Sequence, residues 1–349
     1  MKSERLIEVL NHFGIATGEI EFSPVKHGFI NDGFFVDLNG NTSYILQRIN
    51  TSIFKEPENL QSNIDRALNL LHDSDYSKLE FVRSPENQTL YQDDSGWWRL
   101  MKFIPESEVH DIPPNREIAF EAGRLLGTFH KLLETETPDS YHPIIPNFHN
   151  IEFRFKEFQH AMDFADHLTL MDAQDQVNFV YSKIPQMKSL VSAGLPTRLC
   201  HNDTKLNNFL FSRDHKGLCL IDLDTIMPGY FFYDFGDAVR TVVNPASENE
   251  TDLSRIEIRL DYFEAFINGF NDSGLILKQE EISSLPPATA YMPFLHGMRA
   301  LTDYLNGNIY YKVDYAEHNL DRCKNLFQFT KIVMNNLSEI AELSNRLKK

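Results

Sequence analysis

The sequence has few cysteines and no long apolar run. It contains three cysteines in 349 residues, and none forms a Cys-x-x-Cys pair, which argues against a disulfide framework or a structural zinc site. No stretch approaches the roughly 18 consecutive apolar residues that a membrane span requires. The first residues place apolar side chains at helical spacing, which predicts an amphipathic helix and not a signal peptide. These absences favour a cytoplasmic protein without a membrane partner.

The chain also has little positive charge. It contains 33 lysines and arginines against 50 aspartates and glutamates, which gives a formal net charge of −17. The basic residues form no block, so the composition argues against a nucleic-acid partner or an anionic membrane surface. Bound Mg²⁺ and a few local cations set the field around phosphates, so an acidic chain remains compatible with a nucleotide.

The strongest chemical signal is the segment HNDTKLNN, from His201 to Asn208, together with LIDLD shortly after it. Asp203 follows an apolar strand and is suited to orient and deprotonate an acceptor hydroxyl. Asn208 and Asp222 offer the hard oxygen atoms that Mg²⁺ prefers. Asp222 lies 19 residues after Asp203, about the length of one hairpin, which predicts that both side chains reach the same edge of a cleft. The pattern is typical of phosphoryl transfer.

Neighbouring residues have predicted supporting roles. Lys205 is expected to place a positive charge near the transferred phosphate. In an extended strand Asp224 faces the same way as Asp222, so it is predicted to complete the metal site or to contact the acceptor, with capping of the next turn as its alternative. His201 is expected to brace the loop through hydrogen bonds. Asp237, in the segment YDFGD, is expected to accept backbone N–H groups of the same loop.

Hydrophobic periodicity divides the chain into a small β-rich part and a large helical part. One helix precedes two predicted hairpins, whose turns are Asn39–Asn41 and Asp93–Gly96. Prolines then mark a connector, and aromatic-rich helices follow over about 150–195. We predict an α+β fold similar to that of protein kinases, with a nucleotide-binding lobe over 1–104 and a catalytic and substrate-binding lobe over 105–349.

The predicted nucleotide-binding residues lie at three places in the first lobe. A loop between strands carries Gly28 and Asn31 in the position of a phosphate-covering loop, although two glycines at this spacing are a weak signal. The strand YILQ aligns with the kinase Val-Ala-Ile-Lys and puts Gln47 where a phosphate-binding lysine belongs. Because Gln47 adds no positive charge, Lys205 and Mg²⁺ must neutralise more of the negative charge of the phosphates. The candidate hinge, where backbone groups hold adenine, consists of Lys102, Phe103 and Ile104.

Arg299 is a lone cation within a predicted apolar helix. A buried charge requires a partner, since its removal from water is costly. The sequence leaves open whether that partner is a structural aspartate or an oxygen atom of a bound sugar.

These motifs together resemble the aminoglycoside phosphotransferase and choline kinase superfamily. The similar segments are YILQRINTSIF, HNDTKLNN, IDLDTIMPG, DFGD and GMRALTDYL. Within the superfamily, bacterial N-acetylhexosamine 1-kinases are the nearest resemblance and share the Gln at the lysine position. The resemblance implies transfer from ATP, with Mg²⁺, to the anomeric hydroxyl of GlcNAc or GalNAc, with Asp203 as base. It also implies that Arg299 and Tyr310 contact the sugar.

Other interpretations remain open at the level of sequence. A different small acceptor, such as another sugar or a choline-like or aminoglycoside-like cation, is compatible with the acidic composition. The segment that begins at Asp222 also matches the Asp-x-Asp-x-Thr motif of haloacid-dehalogenase phosphatases, although there the motif opens the fold. The absence of a lysine at Gln47 suggests a pseudokinase that binds ATP without transfer. The oligomeric state is open between a monomer and a small homo-oligomer.

Overall fold

The structure is a computed structural model that describes residues 3–15, 18–25, 30–190 and 194–347. Its α-helices are α1 (Ser3–His12), α2 (Pro57–Leu68), α3 (Arg116–Leu132), α4 (Ile151–Phe164), α5 (His167–Asp172), α6 (Gln174–Leu190), α7 (Phe231–Val242), α8 (Leu260–Asp272), α9 (Gln279–Leu305), α10 (His318–Asn335) and α11 (Leu337–Ser344). Its strands are β1 (Ile20–Pro24), β2 (Asp32–Leu38), β3 (Asn41–Ile49), β4 (Tyr91–Asp93), β5 (Gly96–Lys102), β6 (Ser107–Glu108), β7 (Thr197–Cys200), β8 (Phe209–Ser212), β9 (Gly217–Leu220) and β10 (Met227–Tyr230). Within these ranges, every helix is too short or too polar to cross a membrane.

Strands β1 to β5 form one antiparallel sheet in the order β1-β2-β3-β5-β4. Both hairpins predicted from the turns at Asn39–Asn41 and Asp93–Gly96 are confirmed. Because side chains alternate along a strand, Leu46 and Leu100 pack in a small core with α1, while their neighbours face the opposite side. That opposite side forms one wall of the large cleft described below.

Helix starts in the second part follow from capping side chains. Asn115 accepts the backbone N–H of Ile118 at 3.0 Å where α3 begins, and Asn150 accepts that of Phe153 at 3.1 Å where α4 begins. Helices α4, α5 and α6 occupy the region predicted as an aromatic-rich helical insertion, and α4 and α6 both contact α9. A small antiparallel sheet followed by a large helical part confirms the α+β architecture.

Two short strands connect the predicted catalytic residues. Strands β8 and β9 form an antiparallel hairpin between Asp203 and Asp222, as the spacing predicts. A Cβ on Gly217 would lie 2.7 Å from the Leu125 side chain and 2.9 Å from a Glu121 carboxylate oxygen. Glycine therefore allows α3 to pack directly against this hairpin, which fixes the two catalytic loops relative to the helical core.

Candidate active site

A cleft of about 1440 Å³ lies between the N-terminal sheet and the helical part. This volume exceeds the range of about 300–1,000 Å³ usual for one small-molecule site, so the cleft has room for two ligands. Ten residues that the sequence predicts for the site line it together: Asn31, Gln47, Phe103, Asp203, Lys205, Asn208, Asp222, Asp224, Arg299 and Tyr310.

Asp203, Lys205 and Asn208 form one hydrogen-bonded group on the loop after β7. Lys205 Nζ lies 2.9 Å from Asp203 Oδ2, and Asn208 Nδ2 donates to the same oxygen at 3.0 Å. Burial disfavours the charge on Asp203, but Lys205 outweighs it and lowers the pKa of Asp203. Burial also disfavours the charge on Lys205, yet Asp203 and Asp222 raise its pKa. The pair is therefore ionised, and Asp203 is a carboxylate able to accept a proton.

His201 braces the catalytic loop, as expected from the sequence. Its Nδ1 accepts the backbone N–H of Asp203 at 3.3 Å, so its Nε2 carries the proton and donates to the Ile221 carbonyl oxygen at 2.8 Å. The imidazole thereby links the loop of Asp203 to the residue before Asp222. Its two ring nitrogens are occupied by backbone groups, which leaves it a structural role.

The acceptor for the loop's backbone N–H groups is Asp234 and not Asp237. Asp234 Oδ2 accepts the N–H of His201 at 2.8 Å, and Oδ1 accepts that of Asn202 at 2.7 Å. Asp237 instead accepts from Arg240 Nε at 2.6 Å and from His296 Nε2 at 2.9 Å. The prediction for Asp237 was wrong because it lies three residues, about 4.5 Å, further along α7, where Arg240 and His296 occupy its carboxylate.

The chain does not stay extended through Asp222. Strand β9 ends at Leu220, Asp222 has a left-handed backbone with φ of 61°, and Leu223–Thr225 form a 3₁₀ turn. Asp222 therefore opens into the cleft, and no side-chain hydrogen bond reaches it from the described residues. The cleft walls desolvate its carboxylate and, with the charge of Asp224, raise the pKa of Asp222 to about 6. A bound cation would relieve this repulsion.

The carboxylate of Asp224 is held by two residues of the N-terminal part of the chain. The prediction that Asp222 and Asp224 lie on one extended strand was wrong, because a left-handed residue and a 3₁₀ turn interrupt the strand. Asp224 Oδ1 accepts a hydrogen bond from Arg99 Nη2 at 2.6 Å, and its Oδ2 accepts one from Asn31 Nδ2 at 2.6 Å. Its carboxylate is 4% exposed and joins the two halves of the cleft.

At the far end of the cleft, Arg299 projects from α9 between two aromatic rings. Its guanidinium carbon lies 4.8 Å from the centre of the Phe148 ring and 5.9 Å from that of Tyr310. No carboxylate oxygen of the described residues comes within 4.0 Å of it. Of the two partners that the sequence left open, a structural aspartate is therefore absent from the described part of the chain.

The chain matches a model of a known protein family. A family model described as the phosphotransferase enzyme family, APH, matches residues 21–267, which is more than half of the chain. The chain belongs to this phosphotransferase family. The prediction of the wider superfamily is confirmed, and the match leaves the alternative of a haloacid-dehalogenase phosphatase without support.

Solved structures of similar fold agree with the architecture of this phosphotransferase. A spectinomycin phosphotransferase in complex with ADP and spectinomycin has a TM-score of 0.60 at 16% identity, covering 99% of this chain and 98% of that chain. A microcompartment-associated aminopropanol kinase has a TM-score of 0.64 at 15% identity, covering 97% of this chain and 99% of that chain. A choline kinase from Cryptosporidium parvum Iowa II has a TM-score of 0.58 at 12% identity, covering 96% of this chain and 97% of that chain. The predicted kinase-like fold is confirmed.

The predicted hinge of the phosphotransferase is partly occupied by its own backbone bonds. The N–H of Lys102 donates to the Glu80 carbonyl oxygen and that of Phe103 to the Ser43 carbonyl oxygen, each at 2.9 Å. The Lys102 side chain is exposed and pairs with the Glu80 carboxylate, outside the cleft. The N–H of Ile104 has no acceptor among the described residues. Gly28, the predicted residue of the phosphate-covering loop, lies outside them.

Sequence reasoning missed two residues of this phosphotransferase site. Asp234 belongs to the segment YDFGD, in which spacing gives no means of choosing it over Asp237. Arg99 had a readable signal, since it is a lone cation in the apolar strand segment WWRLM. The same signal identified Arg299 as a charge that requires a partner.

Proposed function

We propose that this phosphotransferase transfers the terminal phosphate of ATP to the anomeric hydroxyl of an N-acetylhexosamine. The observation that carries the proposal is the ionised Asp203, hydrogen-bonded to Lys205 and Asn208, in one cleft with Asp222, which has no hydrogen-bond donor among the described residues. Phosphoryl transfer depends mostly on positioning and charge stabilisation, and this group offers both a base and a local cation.

The metal proposed here is Mg²⁺, held by Asn208 and Asp222. The Asn208 amide nitrogen donates to the Asp203 carbonyl oxygen at 2.7 Å and to the carboxylate, which leaves the amide oxygen for a cation. Asp222 is open to the cleft and has no hydrogen-bond donor among the described residues. Mg²⁺, when bound, neutralises charge on the nucleotide phosphates. Asp224 is left out of this set because both its oxygens already accept hydrogen bonds.

For the nucleotide, the proposed adenine site is the apolar wall that includes Ile45, Met101 and Phe103. Adenine offers donors and acceptors along one edge, and the N–H of Ile104, which has no acceptor in the described part of the chain, is a suitable donor to it. Lys102 lies at the same hinge, but only its backbone carbonyl is available, since its N–H and side chain are already bonded.

In the proposed mechanism, Asp203 orients the acceptor hydroxyl and takes its proton as the new O–P bond forms. Lys205 remains ionised beside it and stabilises charge on the transferred group. His201 and Asp234 hold the loop so that this carboxylate stays in place. The bond between the terminal phosphorus and the bridging oxygen of ATP breaks, so transfer leaves ADP, the proton on Asp203 and the phosphate on the acceptor oxygen.

The charges at the far end of the cleft favour a neutral acceptor over a cationic one. Arg299 and Arg322 have no carboxylate partner among the described residues, whereas the acids Asp237 and Glu248 are both paired with Arg240. A choline-like or aminoglycoside-like cation would meet uncompensated positive charge here. The hydroxyl and acetamido oxygens of an N-acetylhexosamine are instead suited to Arg299, with Tyr310 as a ring beside the sugar.

A coupled assay of ADP release tests the proposal with hexosamines, hexoses, choline and aminoglycosides as acceptors. We expect release with N-acetylhexosamines, and product NMR should show phosphate on C1. Asp203→Ala should lose several orders of magnitude in turnover, while the exposed hairpin variant Asp214→Ala should keep it. ATP binding without ADP release for any acceptor would support the pseudokinase alternative, and release with choline alone would reject the sugar.

A further inference from the structure

Arg99 is a buried cation on the nucleotide side of the cleft. It lies on β5 directly opposite Gln47 of β3 in the strand register, and it is 2% exposed. Arg99 Nε donates to Gln47 Oε1 at 3.0 Å, and Arg99 Nη2 donates to Asp224 Oδ1 at 2.6 Å. The residue that replaces the usual lysine is therefore bonded to an arginine on the neighbouring strand.

One nitrogen of this guanidinium lacks an acceptor within the described ranges. Arg99 Nη1 is buried and has no acceptor among the described residues, although Arg99 is part of the cleft wall. A buried donor without an acceptor is unfavourable, and a charged donor more so. The missing acceptor is consistent with an anionic group that enters the cleft.

The surroundings of Arg99 repeat the electrostatic arrangement of a kinase small lobe. In protein kinases a strand lysine is held by a glutamate while it contacts nucleotide phosphates. Here Asp224 holds Arg99 with a similar ion pair, and Asn31 fixes the second Asp224 oxygen at 2.6 Å. Guanidinium has five N–H donors, so it can keep this carboxylate and bind a phosphate oxygen at the same time.

We infer that Arg99 replaces the missing small-lobe lysine and donates from Nη1 to a phosphate oxygen of the nucleotide, with Gln47 and Asp224 holding its orientation. The inference rests on the proposed function, in that the cleft binds a nucleoside triphosphate. Because Nη1 is closed to solvent in this structure, the contact requires a small shift of the guanidinium or of the wall beside it.

Calorimetric titration of the full chain with adenosine, ADP and the non-hydrolysable ATP analogue AMP-PNP, each with Mg²⁺, tests this inference. A charged hydrogen bond is worth roughly a tenfold to hundredfold change in affinity. Arg99→Gln should therefore weaken the binding of ADP and of AMP-PNP by that factor. Adenosine should bind with unchanged affinity. Arg48→Gln is the matched control, because Arg48 neighbours Gln47 on β3 and faces the other side of the sheet, where it pairs with Asp32.

A rescue variant separates phosphate binding from a purely structural role. Gln47→Lys combined with Arg99→Gln returns a cation to the strand position of the usual kinase lysine, and we expect it to recover most of the phosphate-dependent affinity. Asp224→Asn breaks the ion pair but keeps Arg99, so its preference for AMP-PNP over adenosine should persist. Thermal unfolding of every variant checks that the chain is folded.

Several results would overturn the inference. These are an equal loss of adenosine and AMP-PNP affinity in Arg99→Gln, no loss of either, or a double variant without rescue. None of these measurements requires an acceptor. Failure of the proposed function would appear separately, as an unchanged chain that binds AMP-PNP but releases no ADP with any acceptor.

Discussion

Asp234 accepts the backbone N–H of His201 at 2.8 Å, two residues before the proposed base. Because its second oxygen accepts the next N–H along the chain, one buried carboxylate fixes the start of the catalytic loop. An asparagine here has one acceptor oxygen and an NH₂ group that opposes a donor. We expect Asp234→Asn to lower the free energy of unfolding by about 1–3 kcal/mol and turnover by about a hundredfold.

Amide hydrogen exchange at His201 and Asn202 gives the direct readout for this prediction. Both amides should exchange faster in Asp234→Asn. In Asp237→Asn they should keep their protection, because Asp237 contacts Arg240 and His296 instead. Equal loss of protection in the two variants would contradict the distinction between these aspartates.

Asp303 anchors the loop that carries Tyr310 at the acceptor end. Its two oxygens accept the backbone N–H groups of Tyr310 at 2.8 Å and Tyr311 at 2.9 Å, and the side chain is 4% exposed. We expect Asp303→Asn to raise the KM for the acceptor about tenfold, because one of these N–H groups loses its acceptor. The KM for ATP should stay unchanged. Steady-state kinetics with each substrate varied checks this split.

The control for the Asp303 variant is Asp314→Asn in the same loop. The Asp314 side chain is almost fully exposed, so this variant should leave both KM values unchanged. An Asp303 variant with an altered KM for ATP would show that the loop influences more than the acceptor.

Glu281 forms a bidentate ion pair with Arg198, at 2.6 and 2.9 Å, and its own side chain is 2% exposed. Removal of one partner from a buried pair leaves the other charge uncompensated. We expect Glu281→Ala to lower the free energy of unfolding by about 3–5 kcal/mol in urea titrations. Glu264→Ala, which removes the exposed pair with Arg346, should lower it by less than about 1 kcal/mol.

Metal binding should depend on Asp222. Mn²⁺, followed by electron paramagnetic resonance in the presence of AMP-PNP, replaces Mg²⁺ as the probe. We expect Asp222→Asn to weaken Mn²⁺ binding about ten- to a hundredfold, because it removes a proposed ligand. Asp214→Asn is the matched control on the exposed turn of the β8–β9 hairpin and should not change it. Normal Mn²⁺ affinity in Asp222→Asn would contradict the proposed metal site.

Much of the fold was readable from local patterns. Alternation and turn residues predict the hairpins of the N-terminal sheet, and the spacing between Asp203 and Asp222 predicts the β8–β9 hairpin. The same alternation gave a wrong result at Asp224, because a left-handed residue and a 3₁₀ turn interrupt the strand. Such an interruption depends on the tertiary packing around the residue, and the alternation of side chains along a strand carries no information about that packing.

The sequence by itself determined the chemical groups of this phosphotransferase: Asp203, Lys205 and Asn208 lie within six residues, so their proximity follows from the chain. Only the tertiary structure decided which partners the distant charges take. Arg99 reaches Asp224 across 125 positions, and Arg299 lies between two rings with no carboxylate beside it in the described chain. Local spacing specifies which residues are neighbours along an element, whereas the pairing of buried charges follows from how the elements pack.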